Sequence, residues 1–89
     1  MVPLQDWVGR TVVVDLRSPY VALGTLASFD DQHLLLTDAD MHDLRDSPTS
    51  RENYIAESKL SGIKRNRKQV MIVATEVVAV ARLADVIDE

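Results

Sequence analysis

The stretch from Gly24 to Asp40, Gly-Thr-Leu-Ala-Ser-Phe-Asp-Asp-Gln-His-Leu-Leu-Leu-Thr-Asp-Ala-Asp, constrains this chain more than any other part of it. It joins two extended segments through a short acidic turn, and each segment carries its own signature. Tyr20 to Asp30 reads as a strand whose alternation slips at Gly24, where a missing side chain permits the sharp bend of a strongly curled sheet. After Asp31 and Gln32, the run His33 to Thr37 is apolar on both faces, the pattern of a strand covered on both sides. A bent strand beside a doubly covered one points to a small barrel.

The flanking segments fit that reading. Pro3 suits the first turn of a short helix, because its missing amide hydrogen is not needed there, and Leu4, Trp7 and Val8 then share one side before Gly9 ends it. Thr11 to Arg17 alternates, with Val12, Val14 and Leu16 on one face. Ser18-Pro19 turns the chain into the second strand. Near the C-terminus, Arg67 to Val73 and Glu76 to Leu83 read as a hairpin with a tight turn at Ala74-Thr75. Both strands are apolar on both faces, so a lone small sheet would leave an edge open to pairing.

Residues 41 to 66 carry no strand pattern and read as an insertion between the third and fourth strands. Thr49-x-x-Glu52 has the form of a capping box, which predicts a helix over about Ser50 to Leu60 with Gly62 ending it. A long twisted hairpin is the competing arrangement, and Tyr54 and Ile55 pack in either one.

At 89 residues and 46% hydrophobic content, the chain is a single domain over 1–89 with a small core. It has no cysteine, which removes disulfides and thiolate metal sites. Without a leader or a membrane-length apolar run, the expectation is a cytoplasmic protein that does not enter membranes. The net charge of −4 argues against a coat for duplex DNA. Charge is nonetheless polarised: Asp30, Asp31, Asp38, Asp40, Asp43 and Asp46 precede the basic residues Lys59, Lys64, Arg65, Arg67 and Lys68. Such runs serve equally as solvated faces or as an anion-binding patch. No nucleophile elbow, phosphate loop or zinc helix motif is present, so no catalytic residue and no cofactor is expected.

The Gly24 to Asp40 run resembles the first motif of the Sm-like family: Gly24, Leu26, Phe29, Asp30, Leu34, Leu35, Leu36, Asp38, Ala39 and Asp40 fall into place with a turn one residue shorter than usual. His33 stands where the family has an Asn. Pro3 to Leu16 is similar to the family's leading helix and first strand, and Gln69 to Ile87 to its second motif, with Val73-Ala74 in the Arg-Gly place. The resemblance implies a mainly β fold: a short N-terminal helix and a five-stranded, strongly bent antiparallel sheet forming a small open barrel. It also implies a homo-oligomeric ring closed between the fourth strand of one subunit and the fifth of the next, and the apolar residues of those two strands place Val70, Ile72, Val78 and Val80 at the expected interface.

A ring of this kind would be RNA-associated, meeting single-stranded RNA near its pore through Asp30, Gln32 and His33, with Lys64, Arg65, Arg67 and Lys68 on the backbone. An Asp in a tight turn also simply caps its own backbone, and a histidine can simply begin a strand. Imidazole can replace the Asn by hydrogen bonding or stacking. Valine at position 73 offers neither the planar face nor the charge of the family's Arg, so the base pocket is weakened. The alternative is a ring scaffold for protein partners without RNA binding, the insertion being the surface where a protein would dock. A metal-dependent module on Asp38, Asp40, His42, Asp43 and Asp46 is the third reading, disfavoured because calcium-loop spacing and paired histidines are missing.

Overall fold

The computed structural model describes residues 3–46 and 48–87. One antiparallel sheet of five strands dominates: β1 (Thr11–Leu16), β2 (Tyr20–Phe29), β3 (His33–Asp43), β4 (Arg67–Val73) and β5 (Val77–Arg82). A single 3-10 turn, Leu4–Trp7, precedes β1, and one helix, α1 (Arg51–Ser61), stands between β3 and β4. This is the expected mainly β architecture, with the short N-terminal helix present as one tight turn.

The strand order is β4-β3-β2-β1-β5, which overturns the expected terminal hairpin. β4 and β5 follow one another in sequence yet lie on opposite edges of the sheet, linked by the 3-10 turn Ala74–Glu76. The curl of the sheet makes so short a link sufficient. β5 pairs with β1 instead, from Val12 opposite Arg82 to Leu16 opposite Val77, and this places Val77 and Val80 in the core with Val12 and Val14. Arg17 fixes the crossing, its backbone N–H donating to Glu76 O (2.8 Å) and its Nε to Thr75 O (2.9 Å).

The bend also differs from expectation. On β2 the parity of inward residues runs unbroken through Gly24, since Ala22 and Leu26 both enter the interior cluster. The slip is on β3. Register shifts between the pairs Leu23–Asp40 and Thr25–Thr37, which inserts one extra β3 residue, and Asp38 there has φ +49°. Aspartate tolerates this left-handed conformation better than most residues. Inward residues accordingly change from Leu34 and Leu36 to Ala39 and Met41. Gly24 is needed for close approach: a Cβ there would stand 2.9 Å from Ala39 Cβ and 3.1 Å from Thr37 O.

Two apolar clusters result. The concave interior holds Val12, Val14, Leu16, Ala22, Leu26, Leu34, Leu36, Ala39 and Ile72, with Leu4 and Trp7 closing on it. The other face of β1 and β2 gives Val13, Val21 and Leu23, and Ile55 of α1 covers them with help from Tyr54, Ile63, Leu83 and Val86. The insertion is therefore a lid over the second face of the sheet. Its helix is expected within a residue of its observed bounds, but β3 runs on to Asp43, so the insertion is shorter than residues 41 to 66. The capping residue differs too. Ser50, not Thr49, is the N-cap, its hydroxyl accepting from Asn53 N–H at 3.2 Å. Gly62 closes the helix at φ +93°, its N–H donating to Ser58 O. Among the described residues no helix is long and apolar enough to cross a membrane.

Candidate functional site

The turn between β2 and β3 is built by Asp30. Its Oδ1 accepts from the backbone N–H groups of Gln32 and His33, each at 2.8 Å, and its own N–H donates to His33 O at 2.9 Å. His33 Nδ1 lies 3.5 Å from the same oxygen. The Gln32 amide, and then the His33 amide, hold the Asp30 carboxyl below its ordinary range. An anionic carboxylate is thereby fixed as the anchor of an exposed turn, and Asp30 serves as the cap of its own backbone. The imidazole beside it is left half-exposed.

Val73 sits directly across from His33 in the β3–β4 ladder, and Ala74 N–H donates to Gln32 O at 2.8 Å. Asp30, Gln32, His33 and Val73 thus form one patch at one end of the sheet. The basic candidates are elsewhere. Arg67 pairs with Ala39 at the other end of β4, about 20 Å along the strand from Val73 at the usual rise per residue. Lys64 and Arg65 lie in the link before it, and Lys68 follows. The structure brings together the acidic turn and Val73, and separates both from Lys64, Arg65, Arg67 and Lys68.

The interface candidates also divide. Ile72 is buried in the chain's own interior, and Val70 and Val80 pack against it. Val78 is 65% exposed, at the point where β5 carries one extra residue opposite β1. Met71 and Val73 on β4 are likewise exposed, and the sequence reading passed over both as edge residues. Their signal was there in the odd-numbered positions that alternate with Val70 and Ile72, which must face the other side of a strand.

The Asp/His run of β3 does not converge on a common point. Asp38 is displaced by the bulge. Asp43 is held by Arg45, whose Nη2 donates to its Oδ2 at 2.8 Å and draws its carboxyl down to about 2. Asp40 is buried and accepts a hydrogen bond from the Tyr54 hydroxyl, while His42 stacks on the Tyr54 ring with centroids 4.0 Å apart and planes 8° off parallel. Among the described residues no group of three or more His, Asp or Glu is placed to hold a metal ion. Sequence reading also missed Asn66, which clips the end of β3 by accepting from Met41 N–H and donating to Met41 O.

This architecture is the Sm-like fold. A heptameric archaeal Sm protein matches 89% of this chain over 93% of its own at 26% identity and a TM-score of 0.60. The Pyrococcus abyssii Sm protein, solved in complex with a uridine heptamer, matches 92% of this chain over 99% of its own at 18% identity and a TM-score of 0.64. A chain of the NatC complex bound to CoA matches 90% of this chain over 83% of its own at 21% identity and a TM-score of 0.60. No family model and no curated protein matches the sequence.

Proposed function

We propose that this protein is a ring-forming, RNA-associated Sm-like protein, in which β4 of one subunit pairs with β5 of the next and single-stranded RNA meets the ring near its pore. The observation that carries the reading is the pair of free edges. β4 and β5 terminate opposite sides of one curled sheet, each with unpaired backbone groups and exposed valines or methionine, so one subunit's edge complements another's. Such a head-to-tail contact closes when rotation permits. The heptameric archaeal Sm protein supports a ring, and the uridine heptamer held by the Pyrococcus abyssii protein supports RNA. Asp30, Gln32 and His33 would meet the base, with Val73 giving a weaker stack than a guanidinium. Lys64, Arg65, Arg67 and Lys68 would serve backbone phosphate only at a second point on the strand.

A ring scaffold for protein partners without RNA binding is the second reading, favoured by Val73 and by the structural likeness to a chain of the NatC complex. Sedimentation at micromolar concentration tests assembly: a multiple of the subunit mass is expected, and Val78→Lys should release monomers. Titration with oligo(U) and oligo(A) at two salt concentrations tests RNA, with affinity falling steeply as salt rises. Val73→Arg should tighten binding by about 1 to 3 kcal/mol, the scale of one stacked base. If neither form binds at low salt, the scaffold reading replaces the RNA reading.

A further inference from the structure

The insertion creates a second concave surface, away from the acidic turn. Between the distal half of β3 and α1 lies an open cleft of about 490 Å³, within the range of small-molecule sites. Asp40, His42, Tyr54, Glu57, Ser58 and Lys64 are among its walls. The bulge at Asp38 is what turns Asp40 and His42 toward α1, because it reverses the facing of every later β3 residue.

The inner wall holds polar atoms without a protein partner among the described residues. Asp40 is only 6% exposed as a residue, and its Oδ2 is taken by the Tyr54 hydroxyl, while its Oδ1 makes no hydrogen bond among the described residues and opens on the cleft. His42 Nε2, by contrast, is shielded from solvent and has no partner. An acceptor oxygen that opens on the cleft, beside a partner oxygen already bonded, offers a place for an arriving donor. Burial, and then Asp40, push the Tyr54 phenol up, so it stays a donor to Asp40 Oδ2. Lys64 is the one Lys or Arg among the lining residues.

We propose that this cleft binds a nucleotide whose base carries an exocyclic amino group, the base lying against the His42–Tyr54 pair, its amino group donating to Asp40 Oδ1, and its phosphate meeting Lys64. A simple amine would satisfy Asp40 and Glu57 but would be opposed by Lys64. A nucleotide uses donor, aromatic and anionic chemistry together. Uracil presents carbonyl oxygens beside its single N–H and so turns acceptors toward an acceptor. The nucleotide can be free or part of an RNA strand, and the site lies within one subunit, independent of ring closure.

The test is a titration with AMP, CMP, GMP, UMP, adenosine and inorganic phosphate, followed by amide chemical shifts at residues 40–42, 54–58 and 64. The three amino-bearing nucleotides should perturb these amides, with UMP weaker by about tenfold, the scale of one hydrogen bond. Lys64→Ser should reduce the advantage of AMP over adenosine while keeping discrimination against UMP, and Asp40→Asn should erode that discrimination. No perturbation by any nucleotide at millimolar concentration overturns the proposal, as does UMP binding as tightly as AMP. An unchanged AMP-to-adenosine ratio in the Lys64→Ser protein overturns the phosphate assignment and the proposal with it. Displacement of AMP by oligo(A) supports an RNA strand as the source, and binding of AMP without displacement supports the free nucleotide. Val78→Lys should keep the cleft occupied even where ring and pore binding are lost; loss of AMP binding in that variant overturns a site within one subunit.

Discussion

Two aspartates, Asp30 and Asp40, belong to the same motif in sequence and lead opposite lives in the fold. Asp30 is exposed, and one of its oxygens already accepts two backbone amides. Asp40 is buried, bonded once, and left with an oxygen unmet. At the turn, polar capacity is consumed in shaping the chain, so whatever binds there reads a preformed but largely satisfied surface. Beneath α1, acceptor capacity is left over, opening on the cleft rather than spent on the backbone. What the backbone has already claimed, more than acidity, separates a residue that shapes the chain from one positioned to receive a ligand.

The sharpest way to break the comparison is at Gly24, which allows the bend dividing the two regions. Gly24→Val should destabilise the fold by about 3 kcal/mol, since its side chain meets Ala39 and the Thr37 carbonyl, and denaturant unfolding will read the loss. Ile55→Ala comes next, expected to cost about 2 to 4 kcal/mol because Ile55 is the fully committed anchor of α1. Hydrogen exchange should then show α1 and residues 83–86 loosened while the β2–β3 turn keeps its protection. Ser50→Ala should cost about 1 kcal/mol by removing the helix cap, again read by thermal unfolding.

The smallest effect concerns Asp30. Its folded pKa is lowered by the Gln32 and His33 amides, so its contribution is present above the unfolded value of about 3.9 and disappears as pH falls through the folded value. Stability of the wild type and of Asp30→Ala should differ at neutral pH and converge in acid. Curves that remain parallel to low pH would show that the turn does not depend on the carboxylate.

Much of the sheet is legible in the sequence because alternation is a local signal. Val12, Val14 and Leu16 announce their face, whereas the unbroken run Leu34-Leu35-Leu36 marks a strand without saying which side is inward. The helix is legible through Gly62 and the hydroxyl residues before it, although Ser50 rather than Thr49 caps it, since neighbouring hydroxyls are interchangeable by pattern alone. The pairing of β5 with β1 is not legible. Sequence proximity favours a hairpin, and only the curl of the whole sheet decides otherwise. The β3 bulge escaped for a related reason: Asp38 looks like any strand-end aspartate until Gly24 and Ala39 are brought into contact. The acidic turn and Val73 can be placed together by motif, but the distance to Lys64 and Arg67 depends on how far β4 runs. The Asp40–Tyr54–His42 group joins an insertion to a strand, and no local pattern encodes that meeting.

The partnership of the first strand with the last bears on how the protein is made. During synthesis β1 emerges early and can pair with β2, yet its other edge stays bare until residues 77–82 have been translated. The entropy of closing so long a loop grows only slowly with its length, but long-range pairings of this kind are slow to form. A ribosome-held chain that stops at Val73 should therefore remain sensitive to protease, with an apolar edge available to any neighbouring nascent chain. Completion falls to the final strand, which acts as the clasp of a structure otherwise assembled in chain order.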